Sequence, residues 1–320
     1  MLEAIFDSSV SVTQYLQSID WLISPMEFFT FLGTEDFYSL VMPVLIWSID
    51  YGLGMRVGVV LLTGNSLNAM LKWAFHLPRP FWYDGQVTGL APETSFGLPS
   101  GHSQNPASIY GSIAASLKRG WAWAAALVLI FLIGLSRVVL GVHFTLDVLG
   151  GWTIGFLFLW AFLRLEAPVR SWFEKQTLSR QVGSAFGLSL VIIIIAMAVL
   201  AATGSFEMPV VWEANAGIEL DPFSLEGLLS STGSLFGLAA GGFWLASQGG
   251  FDAGGALWKR VMRFLVGVIG VLAILQGLDM VFPDSQDLIG YSFRYLRYGL
   301  MGFWVSGLAP VVFKRVGLAE

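Results

Sequence analysis

The chain has 320 residues, of which 55% are hydrophobic and only 12% charged, and its formal net charge is −5. Soluble domains carry about 25% charged residues, so an ordinary soluble globule is excluded, and the acidic balance argues against nucleic acid as a partner. Cysteine is absent, which removes disulfides and thiolate metal sites.

The N-terminus, MLEAIFDSSVS, lacks the positive start of a cleaved signal peptide. Within residues 1–35 the run WLISPMEFFTFLG is too short to cross a bilayer and is interrupted by Pro25, so this segment is expected to lie at the membrane interface. Beyond it the apolar residues come in blocks, such as VIIIIAMAVLAA at 191–202, and not at amphipathic spacing. Blocks approaching about 20 apolar residues read as transmembrane helices. Spans are expected at roughly 36–50, 55–75, 101–117, 121–139, 144–164, 183–203, 225–247, 260–282 and 291–313. The expected fold is therefore all-α: a polytopic transmembrane helical bundle of about nine spans. Residues 36–164 form a five-span core, 165–182 (LEAPVRSWFEKQTLSRQV) a cytoplasmic linker, and 183–320 a four-span C-terminal unit. The small-residue run GLAAGG (237–242) suits either close helix packing or a homo-oligomer interface.

An odd number of spans puts the termini on opposite sides. The side holding the N-terminus carries five Lys/Arg and seventeen Asp/Glu, and the other carries twelve and five. Basic loops stay cytoplasmic, so the N-terminus is expected outside and the C-terminus inside. Three of the five outer cations, Lys72, Arg79 and Arg137, belong to polar patches that this topology places at one membrane level. A cation kept on its disfavoured side points to a specific role.

The patches are KWAFHLPRP (72–80), LPSGHSQ (98–104) and SRVVLGVHFTLD (136–147). Lys72, Arg79 and Arg137 can hold a phosphate, the arginines in bidentate fashion and the lysine as a point charge. Ser100 and Gly101 have the look of a helix start, where free N–H groups bind anions and Ser100 can cap. His143 and Asp147 are four apart and would share a helix face. A carboxylate on Nδ1–H leaves Nε2 of His143 as a free lone pair, which suits a nucleophile. His102, with no carboxylate of its own, suits proton transfer to the leaving oxygen and then from water. Singly, the cations could be snorkelling anchors and His143–Asp147 a structural pair. A metal held by His102, His143 and Asp147 fits by ligand type, but no further ligand completes a shell and the cations would repel it. His76 stands at no motif position and reads as a packing residue. Phe81, Trp82 and Tyr83 read as an interfacial belt, with substrate lining as the sharper option. Asp279, Asp284, Asp287, Arg294 and Arg297 read as a solvated loop with local pairing.

K-x6-RP, PSGH and SR-x5-H-x3-D, in this order and without a gap, resemble the three signature motifs of the type 2 phosphatidic acid phosphatase superfamily. The resemblance spans about residues 36–164. It implies a phosphohistidine on His143, proton transfer by His102, orientation by Asp147, and phosphate binding by Lys72, Arg79, Ser100, Gly101 and Arg137. It also implies a hydrolase of phosphoric monoesters that needs no metal or other cofactor. A site at the outer membrane boundary makes membrane lipid phosphates or diphosphates the expected substrates. A nine-span plan resembles the glucose-6-phosphatase branch and keeps a soluble sugar phosphate as the alternative, while sphingosine-phosphate phosphatases also carry extra C-terminal spans. A catalytically dead transporter or scaffold would be expected to have lost His102, His143 or Asp147. The absence of cysteine and of a targeting peptide points to a prokaryotic plasma membrane, with the site extracytoplasmic.

Overall fold

Each apolar block becomes a helix in the computed structural model, which describes residues 2–204 and 206–319. In chain order these are α1 (Leu2–Gln17), α2 (Asp20–Phe31), α3 (Glu35–Val44) with a following π turn (Leu45–Ile49), and α4 (Tyr51–Phe75). Next come α5 (Pro80–Tyr83), α6 (Gly101–Leu117), α7 (Gly120–Val139), α8 (Thr145–Glu174), α9 (Leu178–Ala202) and α10 (Val210–Ala216). The chain ends with α11 (Glu226–Ser247), α12 (Leu257–Asp279) and α13 (Leu288–Phe303), which runs through a second π turn (Trp304–Leu308) into α14 (Ala309–Arg315). Every regular element among the described residues is helical, as a polytopic bundle requires, because in lipid the helix satisfies its own backbone.

Among the described residues six segments are long and apolar enough to cross a membrane: α7, α8, α9, α11, α12 and the continuous Leu288–Arg315 stretch. A seventh is available if α2, α3 and its π turn, bent by 47°, count as one. The nine-span plan is thus not confirmed. Helices do occupy 55–75 and 101–117, as α4 and α6, but they are too polar to pass on apolarity. Their polar residues face inward: Ser66, Asn68, Ser103, Gln104, Ser108 and Ser112 are all buried. Several hydroxyls bond back to their own helix, Ser66 Oγ to the Leu62 carbonyl (3.0 Å) and Ser112 Oγ to that of Ile109 (2.9 Å). Nor does Pro25 interrupt its helix. It lies in the second turn of α2, where a missing N–H costs one intrahelical bond and the helix continues.

The chain divides into two compact units. One comprises Met1–Tyr38, Leu67–Ala161 and Ala196–Ser224. In it α1 and α2 pack on α7, and α7 packs on α6 through Ala107, Ala114, Ala122, Ala126 and Ile130. Gly151 and Gly155 bring α8 close to α6: a Cβ there would lie 2.6 Å from the Ser100 carbonyl oxygen and 2.5 Å from that of Gln104. The other unit comprises Ser39–Ser66, Phe162–Ile195 and Leu225–Glu320. Its core gathers Ile46, Trp47, Leu238, Val305, Ala309 and Phe313, with Trp47 Nε1 donating to the Val305 carbonyl at 2.7 Å. Its charges pair locally, Arg294 with Glu226 (2.8 Å) and Arg297 with Asp279, while Asp287 caps α13. The outward face of α9 keeps Leu188, Val191, Ile194 and Ile195 exposed, as lipid contact favours.

The GLAAGG run is used for packing within this unit. A Cβ on Gly237 would fall onto the Gly299 carbonyl of α13, so backbone meets backbone along the α11–α13 seam. Gly237→Ala is expected to force these helices apart at a cost of about 1–3 kcal/mol. The readout is a lower midpoint for thermal unfolding in detergent, followed by tryptophan fluorescence. An unchanged midpoint would show that the seam tolerates a methyl group.

Candidate active site

All eight residues singled out from the motifs lie in the first unit. Helix ends and the connections between helices deliver them. Lys72 stands in the last turn of α4. Arg79 precedes α5, where Pro80 at the first helical position fixes the turn. Ser100 and Gly101 open α6, and Arg137 stands in the last turn of α7. The chain then reverses at Gly141, whose φ of +71° suits glycine and where a Cβ would strike the Thr88 carbonyl. This reversal places His143 ahead of α8 and Asp147 in its first turn.

His143 and Asp147 meet, though not along a helix face. His143 lies in the turn, and Asp147 Oδ2 reaches back to accept from the Phe144 N–H (2.9 Å) and to contact His143 Nδ1 (3.2 Å). With Nδ1–H donating to the carboxylate, Nε2 carries the lone pair. Arg79 Nη1 lies 3.1 Å from that Nε2 and donates to the Val142 carbonyl at 2.9 Å. His143 is 1% exposed. Burial, reinforced by Arg79, Arg137, Lys72 and His102, holds its imidazole well below the usual histidine range, so it is neutral at pH 7. A neutral ring with an oriented lone pair beside a guanidinium is arranged for attack on an anionic ester.

The second motif is stitched to the third by the Ser100 N–H, which donates to the Asp147 carbonyl (3.0 Å). Ser100 occupies the N-cap position of α6, but its hydroxyl makes no capping bond; Oγ is buried without a hydrogen-bond partner. His102 Nε2 and Arg137 Nε are likewise buried and unpartnered. Unpaired buried polar atoms on residues of two of the motifs mark where a polar ligand would sit. His102 feels the charges of Arg137, Glu93, Lys72 and Arg79. Asn68 supports this start of α6, donating to the Pro99 carbonyl (3.2 Å) and to Gln104 Oε1 (3.0 Å).

Four contributors were not expected from the motifs. Thr30 on α2 accepts from Arg137 Nη1 at 2.5 Å. Glu93 bridges the two arginines, with Oε2 2.9 Å from Arg79 Nη2 and Oε1 against Arg137 Nη2. Ser95 Oγ accepts from Lys72 Nζ at 2.7 Å, and the Ser95 carbonyl accepts from Arg79 Nε at 2.6 Å. Helix α1 backs the site: Phe6 stacks on Phe144 at 4.3 Å, and Ser9 Oγ accepts from the Thr145 N–H at the start of α8. Glu93 is one of two acids between the first and second motifs.

His76 is a packing residue, stacked on Phe206 at 4.6 Å and edge-on to Phe96. Phe81 and Trp82 do not form an interfacial belt. Both are buried, with the Trp82 ring 6.0 Å from the Arg79 guanidinium, and Tyr83 donates to Asp7 (2.9 Å). Their position follows from α5, a single turn folded back under the cation that precedes it.

Over residues 53–170 the chain matches the PAP2 superfamily, and over 229–320 the PAP2 superfamily phosphatase transmembrane extension. It is 31% identical over 186 residues to phosphatidylglycerophosphatase B of Bacillus subtilis, covering 53% of this chain and 87% of that protein. It is 24% identical to sphingosine-1-phosphate phosphatase 1 of Rattus norvegicus, over 91% of this chain and 72% of the relative. With glucose-6-phosphatase catalytic subunit 1 of Canis lupus familiaris the identity is 23%, over 98% and 96% of the two chains.

Proposed function

This chain belongs to the PAP2 superfamily of membrane phosphatases, and on that premise we propose that it hydrolyses lipid phosphates through a phosphohistidine on His143. The observation that carries the reading is the line Asp147–His143–Arg79, which orients Nε2 and sets a guanidinium beside it. Nε2 attacks phosphorus and the P–O bond to the leaving group breaks. His102 gives the departing oxygen a proton, then takes one from the water that cleaves the P–N bond. Lys72, Arg79, Arg137, the Ser100 hydroxyl and the first N–H groups of α6 offset the charge of the phosphoryl group. In this reading no metal takes part, because fixed cations do that work.

Lipid is the favoured substrate class. The phosphatidylglycerophosphatase and sphingosine-phosphate relatives support it. So does the position of the catalytic residues at the ends of spans α7 and α8, where a headgroup can meet them while its tail stays in the bilayer. We assign the site to the extracytoplasmic face and the C-terminus to the cytoplasm on the Lys/Arg asymmetry of the loops. The nearly full-length similarity to a glucose-6-phosphatase subunit favours a soluble sugar phosphate as the second reading.

The test compares kcat/KM in detergent for phosphatidylglycerophosphate, sphingosine 1-phosphate and glucose 6-phosphate, with and without EDTA. A lipid phosphate is expected to lead by about tenfold or more, the discrimination that ~1.4 kcal/mol of transition-state binding supplies. Equal values, or a lead for glucose 6-phosphate, would overturn the lipid assignment. Loss of turnover in EDTA with recovery on adding zinc would overturn the metal-free scheme.

A further inference from the structure

The three cations of the phosphate cup already have partners, and these come from one short piece of chain. Glu93 takes Arg79 and Arg137; Ser95 takes Lys72 and Arg79. A guanidinium has five N–H donors. Those of Arg79 go to the Ser95 carbonyl and hydroxyl, the Val142 carbonyl, His143 Nε2 and Glu93. Arg79 therefore has no donor to offer a phosphate until one of these contacts is given up.

We propose that Glu93 is the resident counter-anion of the cup, holding the arginine donors that substrate phosphate takes and leaving them when it binds. The proposal rests on the reading of Arg79 and Arg137 as phosphate ligands.

Competition for the same donors drives displacement. Glu93 already sits on Arg79 and Arg137. A phosphate monoester carries about −1.5 to −2. Two anions cannot share those guanidiniums in a buried site without strong repulsion, so the more highly charged phosphate takes them and Glu93 withdraws. Protonation offers no other exit. Burial would raise the Glu93 carboxyl, but Arg79 and Arg137, helped by His102 and Lys72, outweigh it and hold the group well below the usual carboxylate range. Between substrates the same ion pair compensates two guanidiniums that are 0% and 1% exposed. The segment has somewhere to go. Glu93 is 20% exposed, Pro92 and Thr94 beside it are exposed, and the stretch between α5 and α6 has no regular structure. Glu93 thus sets affinity for the phosphoryl group: only a ligand that brings at least its charge and two acceptor oxygens replaces it, which disfavours neutral and singly charged headgroups.

Orthovanadate and inorganic phosphate serve as probes on the purified full chain, as competitive inhibitors and in direct binding. Glu93→Gln removes the competing charge. It is expected to bind both probes about tenfold more tightly, as removal of an unfavourable pre-equilibrium does, and to lower KM more than kcat. Arg137→Ala is expected to weaken both. Hydrogen exchange needs no substitution: vanadate should speed exchange of the amides at 90–96 in the wild-type chain while slowing those at the start of α6. If Glu93→Gln binds vanadate no better than wild type while Arg137→Ala binds it worse, the counter-anion role fails and the cup stands. If Arg137→Ala binds vanadate as well as wild type, the cup itself fails. Should Glu93→Gln not fold, the exchange measurement decides alone, and unchanged or slower exchange at 90–96 on binding vanadate overturns the proposal.

Discussion

Replacing His143 with alanine is expected to remove turnover and the phosphoenzyme together, with kcat falling by at least about four orders of magnitude, the scale seen when a nucleophile or its activating base is removed. The effect should be chemical, because the surrounding bonds survive the change. Asp147 still accepts the Phe144 N–H, and Arg79 still donates to the Val142 carbonyl, so both sides of the turn keep their anchors. The loss is one buried ring from a site held by other contacts. Ground-state binding of inorganic phosphate is therefore expected to persist within a few-fold, since the cations and the start of α6 remain. Rapid quenching with 32P-labelled lipid phosphate distinguishes the outcomes. Wild type should give an acid-labile, alkali-stable label within one turnover, and His143→Ala none. A label of that stability on the variant would move the nucleophile to another residue, and His102, as the nearest other imidazole in the motifs, would be examined first.

What could be read from the sequence, and what could not, follows from the range of the interactions involved. The three motifs are visible because each is local: two cations seven apart with a proline after the second at one helix end, a Ser–Gly pair at a helix start, and an imidazole four residues from a carboxylate across a tight turn. The chain keeps such polar residues in an apolar background, where they stand out. The span count was legible only where apolarity and length agree. It is not confirmed at α4 and α6, where helices do stand at the expected positions, for a reason tied to the site: Asn68, Ser103 and Gln104 are polar because they face inward, and that lowers the apolarity of both helices. Glu93, Ser95 and Thr30 lie beyond local reading. Their partners stand 44, 16 or 23, and 107 residues away, and neither periodicity nor spacing carries such pairings. A charge argument could have reached Glu93. Three cations brought together out of water need a counter-charge, and Asp147 is occupied with His143 and Phe144. The same limit applies to α1. Its polar N-terminal stretch has an interfacial composition, yet Phe6 and Ser9 are fixed behind the turn that carries His143.

Asp147→Asn is expected to lower kcat by about three to four orders of magnitude while the protein stays folded, the pattern found when a histidine-orienting carboxylate becomes its amide. One oxygen of Asp147 serves both the Phe144 N–H and His143 Nδ1. An amide oxygen in that place can accept both bonds, so the turn is retained. The new NH2 group would take the position of Oδ1, which is buried without a partner. An unsatisfied buried donor costs about 1–3 kcal/mol, a lowered melting point and not unfolding. The charge is what disappears. As Nε2 bonds to phosphorus the ring becomes cationic, and a carboxylate on Nδ1–H offsets that charge in a site where Arg79, Arg137 and Lys72 already act on the ring. The asparagine can also rotate to present its NH2 to Nδ1, which would put the proton on Nε2 and block attack. Both effects fall on the chemical step, so KM should change little beside kcat, and the phosphoenzyme should form slowly while still reaching a measurable level. A variant retaining kcat within about threefold of wild type, a difference of only ~0.6 kcal/mol in barrier, would remove Asp147 from the mechanism and leave it as the cap that holds Phe144.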